Sequence, residues 1–347
     1  MEERKPFEIG GESIGPGSRR TVDIPVSVLS DHTPVTMSVH VVHGRRAGPT
    51  LFVSAAVHGD EIIGVEILRR LLRTKSLDRL RGTLLAIPVV NSFGFLNRSR
   101  YLPDRRDLNR SFPGLAKGSL AGRLAHIFMN EIVARSDFGI DLHSAAVNRT
   151  NLPQLRVSPS QPSTMEWAKA FGAPLLLHSK IRDGSLRSAA KWTGIDVLVY
   201  EAGEALRFDE FSVRTGVAGI LRVMHAMGMV ASKGVPKLKI NSIRSTSSYW
   251  VRAPAGGMLR SFKTTGEEVE GSGVLGMISD PFGESDTDVT AEDPGLLIGR
   301  TNLPVVNEGD AVFHVARIKQ TIDAESTIDA LANHLEEDPL FDEDEII

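Results

Sequence analysis

Cysteine is missing from the sequence, and its absence excludes several kinds of site. Disulfide bonds, thiolate metal ligands and cysteine nucleophiles are all ruled out, so any metal site has to use nitrogen and oxygen donors. A reducing compartment fits this composition, and we expect the protein to be cytoplasmic.

The sequence also lacks long apolar segments and a large excess of charge of either sign. No run approaches about 18 uninterrupted apolar residues, the length that indicates a membrane helix. The N-terminal residues MEERKPFEIGGES have no apolar core of the signal-peptide type. The 40 basic and 43 acidic residues give a formal charge of -3, which provides no bulk attraction for nucleic acid or an anionic membrane. We therefore expect neither partner, and any recognition of anions has to be local.

The first two thirds of the chain read as an α/β layer fold. Between residues 36 and 228, short apolar runs alternate with amphipathic stretches, and several of the runs are apolar throughout, as in strands buried on both faces. The predicted strands are 36–42, 50–57, 83–90, 138–142, 174–177 and 195–200. The predicted helices are 61–74, 119–135, 163–172, 186–193 and 209–228.

After Met229 the sequence becomes rich in Ser, Gly and Pro with short β-like runs, which predicts a smaller all-β domain. A weak repeat at an offset of 38 residues relates Gly257-Met258-Leu259 to Gly295-Leu296-Leu297 and predicts two equivalent halves. The stretch also resembles a biotinyl or lipoyl carrier, but the turn SDPFGESD lacks the lysine that a carrier needs, so a structural or substrate-gating role is favoured.

These changes in texture divide the 347 residues into four parts. The length predicts one large domain with a smaller one. The final residues, EEDPLFDEDEII, are acidic and are expected to be frayed. The predicted parts are an N-terminal segment (1–35), an α/β domain (36–230), a C-terminal β-domain (231–320) and a helical and acidic tail (321–347).

Polar residues close three of the apolar runs. His58 and Glu61 lie in VSAAVHGDEIIG, where a strand passes through a glycine into a helix, so that both side chains can converge on one point. Asp141 and His143 close the run FGIDLHS, and strand alternation places them on the same side. Glu201 closes the run IDVLVYEAGE. Charged groups at the ends of buried strands need partners, because burying them unpaired costs several kcal/mol.

Together these residues predict a catalytic zinc site. His58, Glu61 and His143 supply two imidazoles and one carboxylate, which leaves one position of a tetrahedral zinc ion open for water. Asp141 suits the carboxylate that orients a ligand histidine. A base is still needed to take a proton from the water and pass it to a leaving nitrogen, and Glu201 is the candidate.

The loop NSFGFLNRSRYLPDRRDLNRSFPG carries five arginines. Arg98, Arg105 and Arg106 read as ordinary solvated residues. Arg110 follows Asn109 and precedes Phe-Pro-Gly, a setting that can hold a guanidinium group for bidentate contact with a substrate carboxylate. Arg100 is a candidate to polarise the scissile carbonyl or stabilise the oxyanion formed from it.

Four motifs resemble the succinylglutamate desuccinylase and aspartoacylase family, a branch of the zinc carboxypeptidase superfamily. They are His-Gly-Asp-Glu at 58–61, Asp-Leu-Asn-Arg-Ser-Phe-Pro-Gly at 107–114, Asp-Leu-His at 141–143 and Glu-Ala-Gly at 201–203. The resemblance covers residues 36–228 and implies a mixed, mostly parallel sheet flanked by helices, with a barrel-sandwich-like β-domain that narrows the cleft.

The same resemblance implies roles for individual residues. It implies one zinc ion per chain, held by His58, Glu61 and His143, with Glu201 as the base. Asn109 and Arg110 would clamp a substrate carboxylate, and Arg100 would contact the oxyanion.

Three functions remain open at this point. An amidohydrolase acting on a small, carboxylate-bearing N-acyl amino acid is favoured. A zinc carboxypeptidase would use the same groups on a peptide C-terminus, and an open cleft would favour it. An inactive metabolite-binding protein is the third possibility, although Glu201 and all three ligand residues are retained. The chain is a possible homo-oligomer, and His178 and His314 have no predicted partner.

Overall fold

The computed structural model describes residues 4–159, 161–238, 241–318 and 324–341. The strands, β1 to β19 in chain order, are Phe7–Ile9, Glu12–Ile14, Ser18–Val28, Pro34–His43, Arg46–Ala55, Arg81–Ile87, Phe138–Ala145, Arg149–Val157, Leu175–His178, Val197–Glu204, Ile243–Ser245, Ser248–Arg252, Gly257–Ser261, Glu268–Val269, Val274–Ser279, Asp286–Thr290, Gly295–Thr301, Val305–Val306 and Ala311–Ala316. The helices, α1 to α7, are Ile63–Arg73, Ser92–Leu96, Leu120–Glu131, Pro162–Phe171, Leu186–Trp192, Glu210–Ala226 and Ala324–Glu336.

One large sheet runs through most of the chain in the order β12-β19-β17-β8-β10-β7-β5-β6-β4-β3. Strands β6, β5, β7 and β10 are parallel to their neighbours within this group. The pairs β3–β4, β4–β6, β8–β10 and β8–β17 are antiparallel. The sheet is therefore mixed, as expected, and four of the six strand pairs described within residues 36–230 are parallel. A short turn joins β3 to β4, and such a connection permits antiparallel pairing only.

The central strands are buried on both faces, which explains their continuous apolar character. In β5, Leu51 and Val53 belong to a core with α1, α4 and α6, whereas Phe52 belongs to a core with α3 and α5 on the other face. Every strand and helix predicted for residues 36–228 has a counterpart in the structure. Helices on both faces hold the sheet, and its central strand ends position the candidate site.

Two strands of the large sheet that precede the predicted C-terminal β-domain were not predicted. Strand β3 lies in the predicted N-terminal segment and pairs with β4 along its length. Its buried residues Val22, Ile24 and Val26 alternate with exposed ones, a period-two signal that was available in the sequence. Strand β8, RTNLPQLRV, mixes polar residues with Pro153 and gave no such signal.

The sequence repeat corresponds to two similar hairpins in the C-terminal strands. Strand β13 pairs with β15, and β17 pairs with β19, each antiparallel. Each hairpin also takes a short strand from the other half, β18 on β13 and β14 on β17. Because β17 also pairs with β8, strands β17, β19 and β12 continue the large sheet, whereas β16, β15, β13 and β18 form a separate four-stranded sheet.

The end of the described chain packs against the main body. Leu331 and Leu335 of α7 and Phe341 are buried in the core formed with α6, and the Arg214 guanidinium lies 5.7 Å from the Phe341 ring centre. The expectation of a frayed end was therefore wrong up to residue 341, because these apolar side chains bury. The acidic residues 342–347 lie outside the described part. Among the described residues, no helix combines the length and apolarity that crossing a membrane would require.

Candidate metal centre

Three neighbouring strands bring the predicted residues to one edge of the sheet. His143 belongs to β7, Glu201 to β10, and His58 follows β5 by three residues. Strands β5, β7 and β10 are adjacent and parallel, so their carboxyl ends meet. Glu201 and His143 are direct register partners.

The chain turns sharply where it leaves β5. Ala56 has a φ of 49°, a left-handed conformation that is uncommon for a residue with a side chain. Gly59 packs so closely that a Cβ there would lie 1.9 Å from the carbonyl carbon of Gly94. Glu61 was predicted in the first helical turn, but α1 begins at Ile63 and Glu61 stands in the turn before it. This turn aims both Glu61 and His58 at the end of β7.

The two imidazoles share one carboxylate. Nδ1 of His58 lies 2.7 Å from Oε1 of Glu61, and Nδ1 of His143 lies 2.7 Å from Oε2. The side chains are buried, and their candidate ligand atoms all lie within 4.8 Å of one another. The structure thus brings together the three residues that the sequence predicts as ligands.

A carboxylate stands behind each imidazole. Oδ2 of Asp141 lies 2.7 Å from Nε2 of His143, and Oδ1 of Asp141 accepts a hydrogen bond from the Ser54 hydroxyl at 2.7 Å. Oδ1 of Asp107 lies 3.2 Å from Nε2 of His58. Asp141 therefore contacts His143, and its role in orienting that ring stays a prediction; the contact of Asp107 with His58 was not predicted, because Asp107 lies among the basic residues of a long loop.

Charge is balanced inside the cluster. Burial opposes charge on Glu61, but His58 and His143 outweigh it and hold the pKa of this carboxyl below its usual range. Burial also opposes protonation of His143, yet Asp141 and Glu61 raise its pKa well above the ordinary value. Glu61 and Asp107 outweigh burial in the same way and raise the pKa of His58. A divalent cation would take the place of such protons.

This donor set fits zinc. Catalytic zinc sites use three protein ligands drawn from imidazole and carboxylate groups and keep one position open. Ligand histidines in such sites donate their second nitrogen to a carboxylate, as both imidazoles can here.

Residues 47–227 match the family of the succinylglutamate desuccinylase/aspartoacylase catalytic domain. The chain belongs to this family. The resemblance found in the sequence motifs is thereby confirmed.

Relatives align with this member of the desuccinylase/aspartoacylase family over most of its length. The N-alpha-acetyl-L-2,4-diaminobutyric acid deacetylase of Halomonas elongata is 27% identical over 311 residues, which cover 86% of this chain and 91% of that protein. A succinylglutamate desuccinylase/aspartoacylase from Rhodobacter sphaeroides is 25% identical with a TM-score of 0.75, covering 87% of this chain and 95% of that one. The product-bound ectoine utilization protein EutE (DoeB) of Ruegeria pomeroyi is 23% identical with a TM-score of 0.77, covering 86% and 94%, and shares the fold.

In this family member, Glu201 has two partners besides its strand neighbours. Its Oε2 accepts a hydrogen bond from the Asn151 amide at 3.1 Å, and its Oε1 lies 3.2 Å from the Arg156 guanidinium. Both partners belong to β8, the strand that was not predicted. The carboxylate is therefore fixed beside the cluster, where a base is expected.

The three loop residues occupy different positions around the cluster. Arg100 lies 3.0 Å from Oε1 of Glu61 and 3.0 Å from Oδ2 of Asp107. The side-chain oxygen of Asn109 accepts a hydrogen bond from the backbone N–H of Leu186, the first residue of α5, at 2.9 Å. Arg110 is exposed at the rim of the cavity. All three side chains line the same cavity as the cluster.

That cavity has a volume of about 630 Å³ and contains every predicted site residue. It is also strongly cationic, although the whole chain carries a formal charge of -3. Its lining carboxylates are Glu61, Asp141 and Glu201, and its lining cations are Arg100, Arg110, Arg149, Arg156, Lys180, Arg182, Arg187 and Arg300.

His178 and His314, which had no predicted partner, line the cavity as well. So do Ser248 and Trp250, which come from the C-terminal strands. These residues reach the cavity through strand pairing between distant parts of the chain, and no local sequence motif predicts them.

Proposed function

We propose that the protein is a zinc-dependent amidohydrolase that removes the acyl group from a small N-acyl amino acid. The observation that carries this proposal is the buried cluster of His58, Glu61 and His143 with Glu201 in register beside it, in one cationic cavity. Family membership supports the reaction class, since the relative from Halomonas elongata is a deacetylase of an acetylated amino acid.

His58, Glu61 and His143 would hold the metal, with Asp107 and Asp141 orienting the two imidazoles. When bound, zinc supplies a Lewis acid that polarises a carbonyl and lowers the pKa of water.

Glu201 takes one proton from the attacking water and returns it to the amide nitrogen as the carbon–nitrogen bond breaks. The products are a carboxylic acid and an amine. Its contacts with Asn151 and Arg156 keep the carboxylate in place for both transfers.

The substrate is recognised by cations. Asn109 and Arg110 would hold the carboxylate of the amino acid, with the Asn109 amide oriented by its bond to Leu186. Arg100, fixed by Glu61 and Asp107, is placed to interact with negative charge that develops on the carbonyl oxygen.

Two alternatives are less well supported. A carboxypeptidase needs an open cleft, whereas residues of the C-terminal strands, including Trp250, Arg300 and His314, line this cavity. An inactive binding protein has no need of Glu201 beside a complete set of ligand residues.

The test is amine release from a panel of N-acyl amino acids and short peptides, with zinc-loaded protein beside a chelator-treated control. Metal-dependent release from a small N-acyl amino acid supports the proposal. Release only from peptide C-termini would replace it with the peptidase, and a folded, zinc-loaded protein that releases nothing would favour the binding protein.

A further inference from the structure

Strand β10 changes its register directly after Glu201. Glu201 pairs with His143 of β7, and the next pair along is Glu204 with Ala145, so β10 has one residue more than β7 between these pairs. On its other side, β10 also shifts against β8 between Glu201 and Gly203. A β-bulge bends its strand and changes the direction of nearby side chains, and bulges are common next to active sites. The direction of the Glu201 carboxylate therefore depends on how this bulge is held.

Glu204, at the end of the bulge, binds two other segments of the chain. Its Oε1 accepts a hydrogen bond from the backbone N–H of Asn148 at 2.9 Å, and its Oε2 accepts one from the Asn302 side-chain amide at 3.0 Å. Asn148 lies in the turn between β7 and β8, and Asn302 directly follows β17. The backbone N–H of Asn302 also donates to the carbonyl of Asn148 at 2.8 Å, which closes a triangle of hydrogen bonds. One side chain thus joins β10 to the start of β8 and to the C-terminal strands.

The same strands meet again at the Glu201 carboxylate. Asn151 of β8, which donates to Oε2 of Glu201 at 3.1 Å, follows Asn148 by three residues. On its other side Asn151 pairs with Gly299 of β17, and a Cβ at Gly299 would lie 2.8 Å from Oδ1 of Asn151. The bond between Asn151 and Glu201 therefore depends on the bulge and on β17 together.

The position of Glu204 excludes a direct part in the reaction. The side chain is half-buried and does not line the cavity, so it does not contact a substrate there. Its bonds are near the surface, where single hydrogen bonds contribute little to the stability of a fold. A reacting group is more sensitive, because a displacement of about 1 Å can reduce a rate about 100-fold.

We propose that Glu204 is a positioning residue for Glu201. It fixes the bulge of β10 against the turn before β8 and the residue after β17, and so holds the Glu201 carboxylate where it takes and returns the proton. The inference rests on the proposed deacylase function and gives the C-terminal strands a part in aligning the base.

The first test is steady-state kinetics of three variants on the N-acyl amino acid that the wild type hydrolyses fastest. Glu204→Ala should lower kcat about 10- to 100-fold with KM nearly unchanged, because the substrate contacts lie elsewhere. Glu204→Gln should restore most of kcat, since its oxygen still accepts from Asn148 and the Asn302 amide can turn to accept from its nitrogen. Glu308→Ala, at an exposed residue outside the cavity, is the control.

The second test asks whether the effect passes through Glu201. In the Glu201→Gln background, Glu204→Ala should lower the remaining kcat by less than about twofold, because the group that it positions is already lost. Gly299→Ala, which displaces Asn151 from the side of β17, should show the same dependence on Glu201. Asn302→Ala removes only one of the two bonds to Glu204 and should have a smaller effect in the same direction.

The third test does not depend on turnover. In a crystal structure of Glu204→Ala, the distance between the Asn151 amide and the Glu201 carboxylate should exceed about 3.5 Å, the limit of a hydrogen bond. The same preparation should keep its zinc content and its midpoint of urea unfolding, so that misfolding does not explain a loss of kcat.

The outcomes separate this inference from the function beneath it. Normal kcat of Glu204→Ala, or an equal loss of kcat with and without Glu201, would overturn the positioning role and leave the deacylase standing. A wild-type protein that hydrolyses no N-acyl amino acid would overturn the deacylase. In that case the distance between Asn151 and Glu201 in the Glu204→Ala structure decides alone, and an unchanged distance would overturn the positioning role.

Discussion

At one end of the cavity, around His58 and His143, every imidazole nitrogen has a carboxylate partner, whereas at the other end His314 has one nitrogen unpaired. Both ends are buried and both are built from histidine next to charged residues. The difference lies in how completely the imidazole nitrogens are paired.

This contrast separates two kinds of preorganisation. A satisfied network holds ligands in place before an ion arrives, since each group already has its geometry. An unsatisfied group is costly without a ligand and gains from binding one. Substitutions at the first end should therefore change the chemistry and the metal affinity.

The largest effect is expected at Glu201. Glu201→Gln keeps the size of the side chain but cannot accept a proton, so turnover should fall about 10²- to 10⁴-fold. Metal content, measured on the same preparation by atomic absorption, should not change. His143→Ala is the matched variant that should lose the metal. Near-normal turnover of metal-loaded Glu201→Gln would contradict the assigned role.

A smaller effect is expected from the carboxylates behind the ligands. Asp141→Asn should weaken zinc binding about 10- to 100-fold, because the bond that orients His143 changes its character. Competition with a chromophoric chelator measures the affinity. Asp288→Asn, an exposed residue on β16, is the control. Equal zinc affinity of Asp141→Asn and the wild type would show that the contact between Asp141 and His143 does not contribute to zinc binding.

The rim of the cavity should respond through substrate affinity alone. Arg110→Lys keeps the positive charge but loses the planar fork, so KM should rise about tenfold with kcat nearly unchanged. Steady-state kinetics on the preferred N-acyl amino acid measures both constants. A fall in kcat with an unchanged KM would move Arg110 from the carboxylate clamp to the reaction itself.

The smallest effect at neutral pH is expected at His314, whose pKa burial and then the nearby Arg156 and Arg149 lower to about 3. In the unfolded chain this ring takes up a proton below its ordinary pKa of 6.5, while in the folded protein it does so only near 3. Stability is therefore lost as pH falls from about 6.5 towards 3, at up to about 1.4 kcal/mol per pH unit. His314→Gln should remove that share of the acid sensitivity in denaturant titrations. An unchanged slope would show that His314 is not held neutral.

Much of the candidate metal site could be predicted from the sequence, because its residues stand at the ends of apolar, strand-like segments. His58, His143 and Glu201 each follow strand-like segments, and a charge at the end of a buried strand is an anomaly that asks for a partner. The parallel order of β5, β7 and β10 then brings them together. The contact of Asp107 with His58 was not predicted, because arginines lie next to Asp107 in the sequence and an ordinary solvated loop was the simpler interpretation.

The end of the cavity at Trp250 and His314 could not be predicted in the same way. Trp250 and His314 are far apart in the chain and meet only through the register of β12 and β19. Arg149 lies on β8, whose polar residues and Pro153 hide a buried strand. Contacts set by long-range pairing carry no local signature, so this end of the cavity became visible only in the folded structure.

The pairing of β17 with β8 also limits how the protein can be shortened. Residues 149–151 of β8 give their free backbone groups to β17, so removing the C-terminal strands would leave them as an open sheet edge. Open edges recruit strands from other molecules and promote aggregation. We therefore expect the matched segment 47–227, if isolated, to be less soluble and to lack one wall of the cavity.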